Sequence, residues 1–175
     1  TPEVSSVISV TDSGTVDGLV ISNIIGTHTY VGDLSVQLIA PGGSPAAVLW
    51  ASECGSNNDF FLSLDDGATT PVASAACNPL GQGGTFIPED PLSVFDGLPM
   101  AGDWTLQIND NAGADGGELT SWRLDFCSVV PLPVDLLSFD VSGQENAIQL
   151  DWKTANEYNN ESFEIERRTG TETEF

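Results

Sequence analysis

The chain has 175 residues, 40% of them hydrophobic, and a formal net charge of −22. That length allows one domain plus a small second unit, and the apolar content excludes wholesale disorder. A polyanion has no electrostatic route to nucleic acid, because phosphate contacts need Lys and Arg, and no apolar run is long enough to span a bilayer.

The charge is distributed unevenly. Residues 1–122 contain no Lys and no Arg, yet hold fifteen Asp and Glu between Glu3 and Glu118; Arg123 is the first basic residue. These carboxylates cannot form ordinary salt bridges with their neighbours. They must be solvated, capped by backbone N–H groups, or bound to a cation. Surface acidity for solubility explains most of them, and cation binding applies where acids cluster in loops. No charged-then-apolar leader opens the chain, so an export signal is expected upstream or already removed.

Taken in chain order, β-type alternation dominates and helical periodicity is hard to find. Val16–Ile25 reads as a strand. Leu34–Ile39 alternates Leu34, Val36 and Leu38 with Ser35, Gln37 and Ile39, and ends at the turn signal Pro41-Gly42-Gly43. Ala46–Trp50 reads as the return strand. Ser52–Pro91 has brief apolar runs and abundant Gly, Ser, Asn, Asp and Pro, so it reads as a long irregular loop that needs a clip. Trp104, Leu106 and Ile108 then share one strand face, and Trp122, Leu124 and Phe126 share another; both tryptophans belong to the core on this pattern, with Trp50 less clearly so. Many short strands separated by Gly and Pro turns predict an antiparallel sandwich or barrel.

The cysteines are Cys54, Cys77 and Cys127, and His28 is the sole histidine. With no CxxC element, four zinc ligands are hard to assemble. Sequence alone does not settle the pairing. Cys54 and Cys77 both fall in the irregular region and are expected to close it in an oxidising compartment, which leaves Cys127 over.

A second unit starts near Val129. Pro131 and Pro133 stiffen a linker, after which Ile148, Leu150 and Trp152 alternate with polar residues, as do Phe163 and Ile165. Three strands leave open edges and are marginal alone, so the parent chain is expected to continue. This segment resembles the start of a fibronectin type III-like module.

Two longer stretches carry a second resemblance. THTYVGDL at Thr27–Leu34, followed by GDWTLQINDNAGADGGELTSWRLDF at Gly102–Phe126, resembles the P domain, or P/Homo B domain, that follows the catalytic domain of kexin- and furin-like proprotein convertases and of bacterial secreted proteases. Ala40-Pro41-Gly42 supplies the matching turn. The resemblance implies a jelly-roll-like antiparallel β-sandwich over residues 1–128, with a linker and truncated β unit over 129–175. It implies a framework role for His28, a location outside the cell or on its surface, and a partner in the catalytic domain of the same parent, most simply a subtilisin-like serine endopeptidase. One departure is that Gly102-Asp103-Trp104 has no basic residue near it.

Catalysis by the fragment itself finds little support. No GxSxG or subtilisin-like motif accompanies His28. The acid pairs Asp65-Asp66 and Glu89-Asp90 lie in loops, where such pairs are surface groups or metal ligands more often than glycosidase carboxylates. Calcium fits better, since it takes six to eight oxygens from carboxylates, amides and carbonyls. One candidate loop offers Asn57, Asn58, Asp59, Asp65 and Asp66; the other offers Asn109, Asp110, Asn111, Asp115 and Glu118. Neither follows the EF-hand spacing, and Asp-Gly and Asn-rich turns form without metal. Asp33, at a strand start, is expected to accept backbone hydrogen bonds. The sequence therefore predicts a noncatalytic, calcium-binding accessory module; an adhesion or glycan-binding sandwich is the alternative.

Overall fold

The computed structural model describes residues 3–129, 134–145, 147–157, 163 and 165. It divides into two compact units, Thr1–Val129 and Val130–Phe175. Among the described residues there is no α-helix.

The first unit is a two-sheet β-sandwich. One sheet has the order β1 (Glu3–Val10), β7 (Gly102–Asp110), β3 (Leu34–Ile39) and β4 (Ala46–Ala51). The other has the order β6 (Thr85–Phe86), β5 (Phe60–Asp65), β2 (Thr15–His28) and β8 (Gly117–Val129). All pairings are antiparallel except the short β5–β6 contact. This is the expected jelly-roll-like sandwich.

The inward positions follow the alternation of the sequence. Leu34, Val36 and Leu38 of β3 are buried, and Trp104, Leu106 and Ile108 of β7 face them from the neighbouring strand. Trp104 is fully buried, donates its Nε1–H to the Met100 carbonyl at 2.8 Å, and meets Phe95 edge-on with ring centroids 5.3 Å apart. Its indole therefore gains an apolar environment without leaving a polar atom unpaired. Trp122 is partly buried and donates to the Ser6 hydroxyl at 2.9 Å. Trp50 is fully buried against Phe60.

The strand β2 departs from strict alternation. Its register against β5 and β8 shifts between Ile21 and Ile25, and Asn23 sits there at φ 52°. The bulge lets Ile21 and Ile24 both turn inward, three residues apart, and both are fully buried.

The Ser52–Pro91 region is not a loop throughout, which corrects the expectation from sequence. It contains β5, which pairs with β2 inside the second sheet and buries Phe60, Leu62 and Leu64 in the core. The strand β1 covers the edge of β7. Cys54 and Cys77 form a disulfide across a separation of 23 residues, and Cys127 is a free, exposed thiol.

The second unit contains a hairpin, β9 (Val134–Gln144) paired antiparallel with β10 (Ala147–Glu157). Trp152 lies opposite Phe139 and touches Phe163. The third strand expected at Phe163 and Ile165 is not present at those two positions, and the residues around them lie outside the described set.

The disulfide gives the first prediction. Closing a loop of this length stabilises by about 3 kcal/mol through the entropy of the unfolded chain. The double substitution Cys54→Ser, Cys77→Ser should lower the unfolding free energy in urea by about that amount. An unchanged denaturation midpoint would show that β5 and its hydrogen bonds hold the region unaided.

Candidate functional site

The corner between the two sheets lies at residues 28–33. The strand β2 of one sheet ends at His28, a short 3-10 turn covers Val31–Asp33, and β3 of the other sheet begins at Leu34. A crossing of this kind exposes backbone groups that neither sheet can satisfy, so neighbouring loops must supply partners.

Two loops do so. From the first, Asp59 brackets His28: its Oδ1 accepts the His28 N–H at 3.1 Å, and its own N–H donates to the His28 carbonyl at 3.0 Å. Asp59 adopts φ 64°, a conformation that Asp tolerates better than most residues. The Asn57 carbonyl accepts from Val31, and the Gly55 carbonyl accepts from Gly32. Asn57 holds its own turn by donating Nδ2–H to the Cys54 carbonyl at 2.6 Å. From the second loop, Asp115 accepts the Thr29 hydroxyl at 3.0 Å. Asn111 donates to the Asp33 carbonyl through both its backbone N–H and its Nδ2–H. The backbone carbonyl of Asp33, rather than its carboxylate, is thus the acceptor that anchors this turn.

His28 and Asp110 complete the corner from within. Their side chains are 5% and 8% exposed, and Nε2 lies 3.7 Å from Asp110 Oδ2. Asp110 Oδ1 accepts the Ala112 N–H at 3.2 Å. Nδ1 of His28 lies 2.9 Å from the Tyr30 carbonyl oxygen. The Tyr30 N–H lies 3.2 Å from the same nitrogen, so the ring tautomer decides which of the two contacts is the hydrogen bond.

Close backbone approach makes the corner possible. A Cβ on Gly117 would run into the Thr27 carbonyl, and one on Gly26 would lie 2.7 Å from Phe60 Cε2 and 2.6 Å from the Glu118 carbonyl. Glycine at these two positions lets β2 and β8 close together beside the cavity that His28, Asp110 and Glu118 line.

The acids predicted as one calcium loop are separated. Asn57, Asn58 and Asp59 precede β5, whereas Asp65 and Asp66 come at its end and beyond. Six residues of extended strand span roughly 20 Å, so the two groups cannot share an ion. Asp65 Oδ1 caps the Gly67 N–H, and both oxygens of Asp66 accept backbone N–H groups, from Leu92 and Ser93, at 2.8 Å each. Asn58 is exposed. In the second loop Asp110 turns inward while Asp115 and Glu118 are exposed. Among the described residues no three of His, Cys, Asp and Glu come together as a metal-holding group. The concentration of unpaired acid is felt elsewhere as well: partial burial and the nearby charge of Glu89 push the Glu53 carboxyl up.

The His28 ring lies between the Tyr30 backbone and the Asp110 carboxylate. The sequence missed Asp59 as the bracket of His28, although Asn-Asp directly before an apolar run was a usable turn signal.

The pattern of the proprotein convertase P-domain matches residues 20–126. The chain is 27% identical over 123 residues to the transglutaminase-activating metalloprotease of Streptomyces mobaraensis, a match covering 70% of this chain and 13% of that protein. A serine protease of Aeromonas sobria, solved alone and in a complex with the chaperone, is similar over 69% of this chain and 22% of that one, at 19% identity and a TM-score of 0.42.

The bracket around His28 is open to a direct test. Asp59→Ala removes a charged acceptor and places a β-carbon residue without a local hydrogen bond at positive φ, so it should cost about 1.5–3 kcal/mol in chemical denaturation. Asp59→Asn keeps the acceptor and the tolerance of that conformation and should cost less. Asn58→Ala, at an exposed site, should lie within about 0.5 kcal/mol of the parent. Equal losses for all three would remove the special role assigned to Asp59.

Proposed function

Because the chain belongs to the proprotein convertase P-domain family, we propose that it is a noncatalytic module that packs against the catalytic domain of a secreted endopeptidase and stabilises it. The observation that carries this reading is the span of the family match, which runs from β2 to β8 and takes in the whole inter-sheet corner with both of its loops. The disulfide supports an oxidising location, outside the cell or on its surface. Among the described residues no helix is long and apolar enough to cross a membrane. Similarity to the transglutaminase-activating metalloprotease of Streptomyces mobaraensis supports a protease partner and admits a metallo class beside the subtilisin-like serine class expected from sequence.

Removing residues 1–129 from the parent enzyme tests the reading. The expected result is a catalytic domain that is secreted in lower yield or loses activity several-fold faster at a fixed temperature. A truncated enzyme with the same yield and the same inactivation half-life would sink the proposal.

We also propose that calcium binds the turn at residues 110–118, with the exposed Asp115 and Glu118 as its carboxylate ligands. Support comes from the fifteen acids and absent Lys and Arg of residues 1–122. Backbone carbonyls of the glycine-rich turn and water would complete the oxygen shell that calcium needs. Ligand at a hundredfold excess over its Kd stabilises by about 2.7 kcal/mol if it binds the folded form alone. The Tm should therefore rise on calcium addition, and Asp115→Asn should remove most of the rise. Equal Tm values in calcium and in excess chelator would leave the turn as ordinary acidic loop.

A further inference from the structure

The sheet of β1, β7, β3 and β4 turns one side away from the core, and two rows of side chains cross it. Ser5 of β1, Gln107 of β7 and Gln37 of β3 lie side by side in one row, and Val7, Thr105 and Ile39 in the next. Both rows continue onto β4 with aliphatic side chains. Val7 is 54% exposed, and neither row holds a charged residue in a chain with 26 Asp and Glu. Acids stand at the margin: Glu3 accepts the Ser5 hydroxyl at 3.2 Å, and Asp103 accepts the Ser9 hydroxyl at 2.6 Å. The opposite face of the sandwich differs. There a row sets Asp65 and Asp125 on either side of Val20, and Arg123 pairs with Asp125.

The uncharged face costs little to bury. Charged groups lose the most on leaving water, and none stands in the two rows. The central amides already serve each other, with Gln37 Nε2–H donating to Gln107 Oε1, so part of their hydrogen bonding survives the loss of water. Val7 and Ile39 add apolar area. An uncharged centre inside a polar rim is the anatomy of a protein–protein contact. Area decides the occupant. Strands about 4.8 Å apart that rise about 3.4 Å per residue give roughly 400 Å² per side for four strands six residues long. A free dimer needs about 800 Å² per partner. A domain on the same chain needs less: interfaces within a chain start at about 600 Å² in total, and a short linker holds the partner at an effective concentration on the order of mM.

We infer that the outer face of this sheet is the docking surface of the module, and that it receives an uncharged face of the catalytic domain carried by the same parent chain. The inference rests on the docking proposed above and names the surface through which it occurs. Such a contact depends on desolvation and not on the sign of a charge, so a charge of either sign at its centre disrupts it.

The experiment places Thr105→Lys and Thr105→Glu separately in the full parent enzyme and measures the half-life of activity at a fixed elevated temperature. Both should shorten it several-fold, toward that of the enzyme lacking residues 1–129. Asp17→Lys, a larger charge change at an exposed position of β2, should leave it unchanged. In the 175-residue chain alone, all three should keep the urea midpoint of the unsubstituted chain, which separates loss of docking from loss of fold. If the Thr105 variants do not fold, Val7→Lys and Val7→Glu on the edge strand take their place with the same expectation. Half-lives unchanged by both signs of charge, or shortened by one sign alone, would overturn the inference. So would a 175-residue chain that sediments as a dimer and becomes a monomer with Thr105→Lys, since the face then belongs to a second copy. An enzyme sensitive to the truncation but not to the Thr105 variants loses only this surface. One insensitive to the truncation loses the docking reading and the surface with it.

Discussion

Backbone N–H groups, rather than basic side chains, hold five of the loop carboxylates of this domain, and its loop structure depends on that substitution. Asp59 accepts from His28, Asp65 from Gly67, Asp66 from Leu92 and Ser93, Asp90 from Val48, and Asp110 from Ala112. Each acid closes or anchors a connection between strands. A hydrogen bond from an amide to a carboxylate is charge-assisted and short-range. It fixes a turn without the long side chain and the conformational entropy that an Arg or Lys partner would bring. Serine and threonine hydroxyls extend the same arrangement at Asp103 and Asp115. Among the described residues Arg123 pairs with Asp125, whose carboxyl the Ser22 hydroxyl first and Arg123 second hold below the usual range.

The inter-sheet corner concentrates this chemistry. The chain leaves one sheet at His28 and enters the other at Leu34, and both flanking loops converge on the six residues between. The disulfide ties the first loop, at Cys54, to Cys77, and the pairing of Leu34 with Asp110 ties the second loop to the sheet. Loop positions that a sequence reading assigns to metal are therefore largely occupied by structural hydrogen bonds. His28 Nε2 has no hydrogen-bond partner and lies 3.7 Å from Asp110 Oδ2, and both residues line a small cavity.

Several parts of the fold were legible in the residues. Leu34–Ile39 was bounded correctly because strict alternation meets Pro41-Gly42-Gly43, and a proline-glycine turn cannot continue a strand. Trp104 and Trp122 were placed on inward-leaning faces for the same reason. The strand β5 was not seen, although Phe60, Leu62 and Leu64 alternate, because the surrounding Asn, Asp, Gly and Ser outweighed a run of six residues. The bulge in β2 was also invisible: an insertion in one strand is defined by its register with two others, and a single sequence carries no register. The acids of Asn57–Asp66 looked contiguous only because the intervening strand was missed.

The sequence by itself determined the class of the fold and the rule its carboxylates obey. Period-two apolar patterns can bury only as sheets, and residues 1–122, lacking any Lys or Arg, must satisfy their acids with amides, hydroxyls, water or cations. Tertiary structure alone decided which amides, and which acids meet. Asp59 and His28 are 31 residues apart and His28 and Asp110 are 82 apart, and only the pairing of β2 with β5 and the crossing to β3 bring them to one corner. Burial then removes the competing water, which strengthens the hydrogen bonds gathered at this corner.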